Sequence, residues 1–431
     1  MTNIINFQKL PKKKPPTVHF FGRTSIFAAL LKIFNFLKKV LSLGLSPLHA
    51  WLPVLGLTCA AFVFNTSEFI PIGLLSDIAR DFETSEATAG MLITVYAWVV
   101  AVASLPLMLL VARFEYRKLL LAIVALFAVS HLLSAVSSSY ATLMISRIGV
   151  ACSHAIFWSI TSPLAVRVAP RGRGAAALGI IVTGTSVAMI AGLPLGRIVG
   201  LHAGWRMTFL YIAIAAALVL LLLARIFPKV RSDNTISLRG VPRLLEKPEL
   251  LGTYLLTLLI VTAHYTGYSY IEPFLKQVAG MEDDEVTLLL TLFGAVGIVG
   301  SILFSRCYRR APRQFVLGAV GGIAAALFLL QPVSASPVTT VMLCLVWGLA
   351  ITVYNLVFQS EIIRFAPQST AVAMSVYSGI FNLGIGSGAL LGGFVCSGLS
   401  IAWIGYVGGA IALVAGTFCL RWLLPRILRN E

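Results

Sequence analysis

Phe64-Asn65-Thr66-Ser67-Glu68-Phe69-Ile70-Pro71 places a carboxylate inside an apolar run that begins near residue 51 and lasts to about residue 75. A run of that length can cross a bilayer as a helix. An ionisable side chain at membrane depth costs on the order of several kcal/mol unless it is paired, hydrated or protonated. Glu68 is therefore the first candidate functional residue.

The rest of the chain fits a multi-span membrane protein. Of its 431 residues, 58% are hydrophobic and only 11% charged, and the mean hydropathy is +0.92. A soluble globule carries about a quarter charged residues. The net charge of +17 does not point to nucleic acid, because the charges fall in short clusters between apolar runs and form no single basic face. No nucleic-acid partner is expected.

Dividing the chain at about 20 residues per span predicts twelve helices, near 51–75, 88–111, 119–136, 140–168, 176–199, 207–226, 250–272, 286–305, 315–332, 338–361, 371–395 and 401–424. β-barrel spans are excluded because the runs are too long and do not alternate. The predicted class is an all-α membrane protein with twelve transmembrane helices in two pseudo-symmetric six-helix halves. The expected organisation is an N-terminal extension over 1–48, a first half over 49–226, a linker over 227–249, a second half over 250–424 and a tail over 425–431.

Lysine and arginine set the expected sidedness. Alternate loops hold Arg113, Arg117 and Lys118; Arg167, Arg171 and Arg173; Arg225, Lys229, Arg231, Arg239, Arg243 and Lys247; Arg306, Arg309, Arg310 and Arg313; Arg364; and Arg421, Arg426 and Arg429. The other loops hold only Arg80, Arg197, Arg206 and Lys276. They also hold the acids Asp77, Asp81, Glu83, Glu86, Glu282, Asp283, Asp284 and Glu285, which read most simply as solvated helix entries. Both termini are expected in the cytoplasm of a bacterial inner membrane.

Three readings fit the N-terminal segment. Lys32, Asn35, Lys39 and Ser42 recur at helical spacing among Phe27, Leu30, Leu31, Phe34, Leu37 and Leu41, as in an amphipathic helix lying on an anionic inner surface. A cleaved signal peptide fits less well, because Lys32, Lys38 and Lys39 interrupt the apolar region. In the third reading the natural start lies downstream.

The chain repeats. Val166-Arg167-Val168-Ala169-Pro170 ends the fourth span and Ile363-Arg364-Phe365-Ala366-Pro367 ends the tenth, and the same offset lays Gly196 over Gly393. Two six-span halves in parallel order, joined by a basic loop, are the layout of major facilitator transporters.

The motifs narrow the resemblance. They are the span-one string Phe64-Asn65-Thr66-Ser67-Glu68-Phe69-Ile70-Pro71-Ile72-Gly73-Leu74-Leu75-Ser76-Asp77-Ile78-Ala79 and the span-four string Ile145-Ser146-Arg147-Ile148-Gly149-Val150-Ala151-Cys152-Ser153-His154-Ala155-Ile156-Phe157-Trp158. Ala263-His264-Tyr265-Thr266-Gly267-Tyr268-Ser269-Tyr270-Ile271-Glu272-Pro273-Phe274 in span seven and Ser378-Gly379-Ile380-Phe381-Asn382-Leu383-Gly384-Ile385-Gly386 in span eleven join them. With these, residues 51–424 resemble the bacterial sugar efflux transporters of the major facilitator superfamily, in its drug:proton antiporter branch. The resemblance implies proton antiport with alternating access. Two family motifs are altered. The loop after span two keeps only Arg117-Lys118, with Glu115 nearby, and span five reads Gly192-Leu193-Pro194-Leu195-Gly196 where the family has Gly directly before Pro.

Candidate site residues follow from depth and helical face. Glu68 and Arg147 each lie seven residues from the same ends of spans one and four, about 10 Å below the surface at 1.5 Å per residue. Opposite charges at equal depth can pair. As a coupling site, the pair would carry the exchanged proton; as a static ion pair it would only lock two helices. Asn65 lies one turn from Glu68, and Arg147, His154, Trp158 and Thr161 share one stripe of span four. Span seven offers Tyr254, Thr257, His264 and Tyr268. Asn355 and Gln359 of span ten, Tyr377 and Asn382 of span eleven and Trp98 of span two complete a possible cavity. Rings stack on the C–H faces of a sugar while hydroxyl, amide and imidazole groups meet its hydroxyls. Asn65, His154, Trp158, His264, Tyr268, Asn355, Tyr377 and Asn382 are thus the substrate-binding candidates. The competing account is interhelical hydrogen bonding, at about 0.6 kcal/mol per contact. His131 and His202 are assigned structural roles, and Gly384, Gly386, Gly388, Gly392 and Gly393 close helix packing.

Cys59, Cys152, Cys307, Cys344, Cys396 and Cys419 are scattered without metal-binding spacing, so no metal or cofactor is expected. No HExxH, GxSxG, GxxxxGKS or paired-carboxylate constellation supports an enzyme. The expected partners are a small solute (a sugar above all), protons and the lipid bilayer, with the chain acting as a monomer. The alternatives are a proton-coupled multidrug exporter and, more remotely, a membrane-embedded enzyme or receptor.

Overall fold

The computed structural model describes residues 48–111, 114–230, 246–366 and 370–429. The chain divides into two compact units, Met1–Ala50 and Trp51–Glu431. Of the first, only residues 48–50 are described, in a short 3-10 turn, Leu48–Trp51. The proposed amphipathic segment lies outside the described residues, as do the central linker residues 231–245.

Hydrocarbon offers no partner to a backbone N–H or C=O, so a chain this apolar must satisfy both inside helices. Among the described residues twelve helices are long and apolar enough to cross a membrane. They are Leu52–Gly73, Glu86–Ser104, Tyr116–Ala135, Tyr140–Val168, Ala176–Ala203, Trp205–Ile226, Pro248–Gln277, Asp283–Cys307, Pro312–Val333, Pro337–Phe365, Val372–Gly398 and Ile401–Ile427. They are called spans one to twelve below.

Local signals set their ends. Proline stands in the first turn of spans one, seven, nine and ten, where its missing N–H costs nothing. Ser139 caps span four by accepting from the Thr142 N–H at 3.2 Å. Glu282 and Glu285 form a capping box on span eight, with the Glu282 N–H donating to Glu285 Oε2 at 2.9 Å. Gly204, at φ 88°, turns the chain between spans five and six.

Spans one and seven share an irregularity. Span one ends at Gly73, just after Pro71, and a short helix, Leu75–Asp81, continues it. Span seven breaks after Tyr268 and continues as Ile271–Gln277. The two breaks are separated by close to the offset of the sequence repeat, so this irregularity recurs at matching places in the repeat.

Between the halves, span two packs along span eleven and span five against span eight. Within them, span three packs on spans four and six, and span nine on spans ten and twelve. At the end carrying the basic loops, Arg117 donates to the Ala224 carbonyl at 2.6 Å, Lys247 to Phe365 at 2.9 Å and Arg364 to Ile427 at 3.0 Å. The opposite end carries the acidic loops. The outer surface of the bundle is apolar, with Val129, Ile145, Leu218, Leu221 and Phe394 all exposed, as a lipid-facing surface requires.

Glycines set the closest approaches. A Cβ on Gly392 would lie 2.6 Å from the Thr266 carbonyl oxygen and 2.7 Å from the Tyr270 ring, whereas one on Gly318 would meet nothing within 4 Å. Gly392→Ala should therefore cost about 1–3 kcal/mol of stability by overpacking spans seven and eleven. Gly318→Ala should be neutral. Thermal unfolding of the purified variants checks this; equal midpoints would show that the spans yield at Gly392.

Candidate functional site

Glu68 lies in span one, with its side chain 13% exposed. The imidazole of His154 in span four lies beside it, with Nε2 3.7 Å from Oε2. The guanidinium of Arg147, two turns away on the same face of span four, is buried. It sits 4.5 Å from the centroid of the Tyr96 ring of span two, an attractive cation–π geometry. Its Nη1 donates to the Ser67 carbonyl at 3.4 Å, while Nε and Nη2 have no hydrogen-bond partner. Among the described residues Arg147 forms no ion pair within 4.0 Å. Glu68 and Arg147 thus share one cluster, with His154 and the Tyr96 ring as their direct contacts.

The helix positions these groups by side-chain direction. Phe64, one turn before Glu68, stacks between Phe127 and Phe157 at 3.9 and 4.1 Å, which fixes the rotation of span one. Ser67 consequently points to span three, its Oγ 2.7 Å from His131 Nε2. His131 itself packs against Phe127 and Phe209. Glu68 points the other way, toward span four. His154 completes the cluster with Tyr96 at 5.6 Å and Trp158 at 5.9 Å between ring centroids, and its Nδ1 has no partner. Asn65 donates from Nδ2 to the Thr185 carbonyl of span five at 3.3 Å.

The C-terminal half contributes two groups. In one, His264 stacks on Tyr268 at 5.0 Å, Tyr268 on Phe293 at 4.9 Å, and Trp347 meets His264 edge-on at 5.3 Å. The His264 Nδ1 and Trp347 Nε1 atoms are without partners. In the other, nearer the basic end, Tyr377 donates to Asn355 Oδ1 at 2.9 Å and Gln359 donates to the same oxygen at 2.7 Å. Tyr377 packs there among Leu250, Tyr254, Ile362, Ala366 and Ala373. Asn382 stands apart: its Nδ2 donates to the Ser378 carbonyl at 3.0 Å and its Oδ1 is unpartnered. Trp98 lies against Gly386 of span eleven, in the seam between the halves.

Two members of the site escaped the sequence reading. Tyr96 supports Arg147, and Tyr265 of span seven meets the His264 ring edge-on at 4.8 Å. Tyr96 lies two residues before Trp98 and Tyr265 directly after His264, both already noted. An aromatic hydroxyl inside a span was the available signal for either; which neighbour each meets depends on helix rotation, which composition does not show.

The arrangement is a set of buried donors and acceptors with unused capacity around one carboxylate: Arg147, His154 and Tyr96 each keep a polar atom without a partner, as does Asn382 on span eleven. Such groups carry a desolvation cost that a bound polar molecule or water can relieve.

The model of the Major Facilitator Superfamily matches residues 57–384. The chain belongs to the major facilitator superfamily. Solved structures agree in fold. A bacterial homologue of the human lysosomal transporter Spinster, in its inward-facing and unoccupied conformation, is 16% identical with a TM-score of 0.72, over 90% of this chain and 99% of that one. The same homologue in an inward-facing and occupied conformation gives 18% identity and a TM-score of 0.69, over 90% and 99%. A peptide transporter POT mutant in complex with sulfate gives 15% and 0.72, over 88% and 95%. At these identities the likeness is one of fold. It is the fold of those membrane transporters.

The Ser67–His131 bond holds span one to span three beside the site. Ser67→Ala would strand the buried imidazole nitrogen, at about 1–3 kcal/mol. A lower thermal midpoint is the expected outcome, and an unchanged one would show that the bond is dispensable.

Proposed function

We propose that this transporter exports sugars or similarly small polar solutes in exchange for protons, with Glu68 carrying the proton. The supporting observation is the carboxylate itself: an acid in the middle of the apolar run of span one, 3.7 Å from His154, among polar atoms without partners. Proton exchange needs a group whose proton affinity differs between two conformations, because a ligand shifts an equilibrium only through differential affinity. Glu68 lies in span one of the first half, and that span touches the continuation of span seven in the second. Movement of one half against the other would change its surroundings directly. Arg147, held on the Tyr96 ring, supplies the positive charge that favours the ionised acid when the two approach.

His154, Trp158, His264, Tyr268, Asn382 and Asn65 are the proposed solute contacts, with Asn355 and Tyr377 toward the basic end. Their mix of rings and neutral hydrogen-bonding groups suits a sugar. The His264–Tyr268–Phe293–Trp347 stack favours a second reading, in which lipophilic ring compounds are exported by the same cycle.

On this proposal the basic loops face the cytoplasm, and both termini with them. A reporter fused after Lys229 should signal cytoplasm and one at Asp284 the outer side. A cytoplasmic signal at Asp284 would reverse the direction of transport assigned here.

Solute flux in proteoliposomes under an imposed pH gradient tests the mechanism. Glu68→Gln keeps the shape of the protonated acid and removes its titration. It should abolish pH-driven flux while leaving solute binding intact. His154→Ala and Asn382→Ala should instead weaken binding by about 1–3 kcal/mol each, roughly five- to 150-fold in Kd. Flux in the Gln variant that is still pH-driven at the wild-type rate would remove Glu68 from the coupling role. Drug flux without sugar flux would select the second reading.

A further inference from the structure

We propose that Arg197 is a latch that joins the two halves at the acidic end of the spans, and that its bonds control how often that end opens. The inference rests on the alternating-access cycle of the proposed function, and concerns residues outside the solute and proton site.

Arg197 reaches the seam through an irregularity in its own span. Span five runs Gly174–Val187, then a π-helical turn, Ala188–Gly192, then Leu193–Ala203. A π turn holds an extra residue and so rotates the faces of the helix that follows. Beyond it, Gly192, Gly196 and Gly200 lie against Thr66, Ile70 and Leu74 of span one. This close approach brings Arg197 to the junction of spans one, five, seven and eight.

Its side chain is 0% exposed. Nε donates to Thr287 Oγ1 at 3.0 Å, Nη1 to Glu272 Oε1 at 3.2 Å and Nη2 to Asp283 Oδ1 at 2.8 Å. All three acceptors belong to the other half. Nη1 also donates to the Gly73 carbonyl, which the break in span one leaves without a helical partner. The clasp is reciprocal. Glu272, also 0% exposed, accepts at Oε2 from the Ser76 N–H at 3.2 Å and from Ser76 Oγ at 2.9 Å. Lys276 lies 3.0 Å from Asp283 and 3.6 Å from Glu272. Two positive and two negative charges are thus gathered in one group.

The chemistry makes this contact two-state. A buried ion pair that loses one partner leaves an uncompensated charge, which is strongly unfavourable. Partial opening is therefore disfavoured. Full opening lets water hydrate all four charges together, so the loss of the bonds is offset. Interfaces of this kind switch between discrete arrangements. The latch would hold the acidic end closed until binding or protonation elsewhere favours the opened form.

Hydrogen exchange with mass-spectrometric readout on the full-length, reconstituted protein tests this without solute or proton gradient. In Arg197→Gln, segments 73–82 and 271–290 should exchange roughly tenfold faster than in wild type, within the range of coupling between conformational states. Segment 119–134, inside the first half, should stay unchanged. Asp283 is 45% exposed, so Asp283→Asn is the gentler variant and should produce the same pattern at smaller amplitude, even if Arg197→Gln does not fold. Unchanged exchange at 73–82 and 271–290 in Asp283→Asn would overturn the latch, and so would an increase spread evenly over all spans. Wild-type flux that proves independent of pH would remove the proton reading and leave this result standing.

Discussion

The lipid interior accepts no unpaired hydrogen-bonding group, and this one constraint runs through the whole molecule. It makes the twelve spans helical, and it makes every polar side chain within them an exception that needs a reason. It also explains where the irregular backbone occurs. The breaks after Gly73 and Tyr268 fall where protein covers them. The Gly73 carbonyl, released from its helix, receives Arg197, and the Tyr270 hydroxyl beside the second break donates to the Ala389 carbonyl at 3.0 Å.

Apart from Glu361, which Tyr308 and Arg364 hold near the basic end of span ten, the buried charges of the described residues fall into two groups that differ in how fully they are bonded. Around Arg197 the donors and acceptors match closely, with Thr287, Glu272, Asp283 and Ser76 all engaged. Around Glu68 they do not: Arg147 Nε and Nη2 and His154 Nδ1 are left over. A saturated group holds elements together and gives up that grip only as a unit. An unsaturated one retains capacity for a ligand, a proton or water. The contrast separates a site that receives something from a contact between moving parts, although both contain an arginine and a carboxylate at membrane depth.

Small residues let these groups exist. Span five can press Arg197 into the seam because Gly192, Gly196 and Gly200 remove the side chains that would hold it off span one. Spans seven and eleven meet closely through Gly384, Gly388 and Gly392, which places His264, Tyr268 and Asn382 on adjoining helices. Without a hydrophobic driving force between helices in lipid, such fitted contact supplies much of the association.

Hydropathy and charge are local properties, and what depends on them was legible in the amino-acid sequence alone. The spans, their number, the repeat that halves the chain and the superfamily all follow from runs, loops and motifs, as does the anomaly of Glu68. The helix ends moved where capping and kinking act: span seven extends to Gln277 because the chain resumes its helix after the break. Which buried groups meet was decided only by the tertiary structure. Arg197 is separated by dozens of residues from Glu272 and Asp283, and Ser67 from His131. The direction each side chain takes depends on helix rotation, which Phe64 sets for span one through its stack with Phe127 and Phe157. A helical period shows that residues share a face. It does not show which neighbour that face will meet, because that follows from packing summed over the whole bundle.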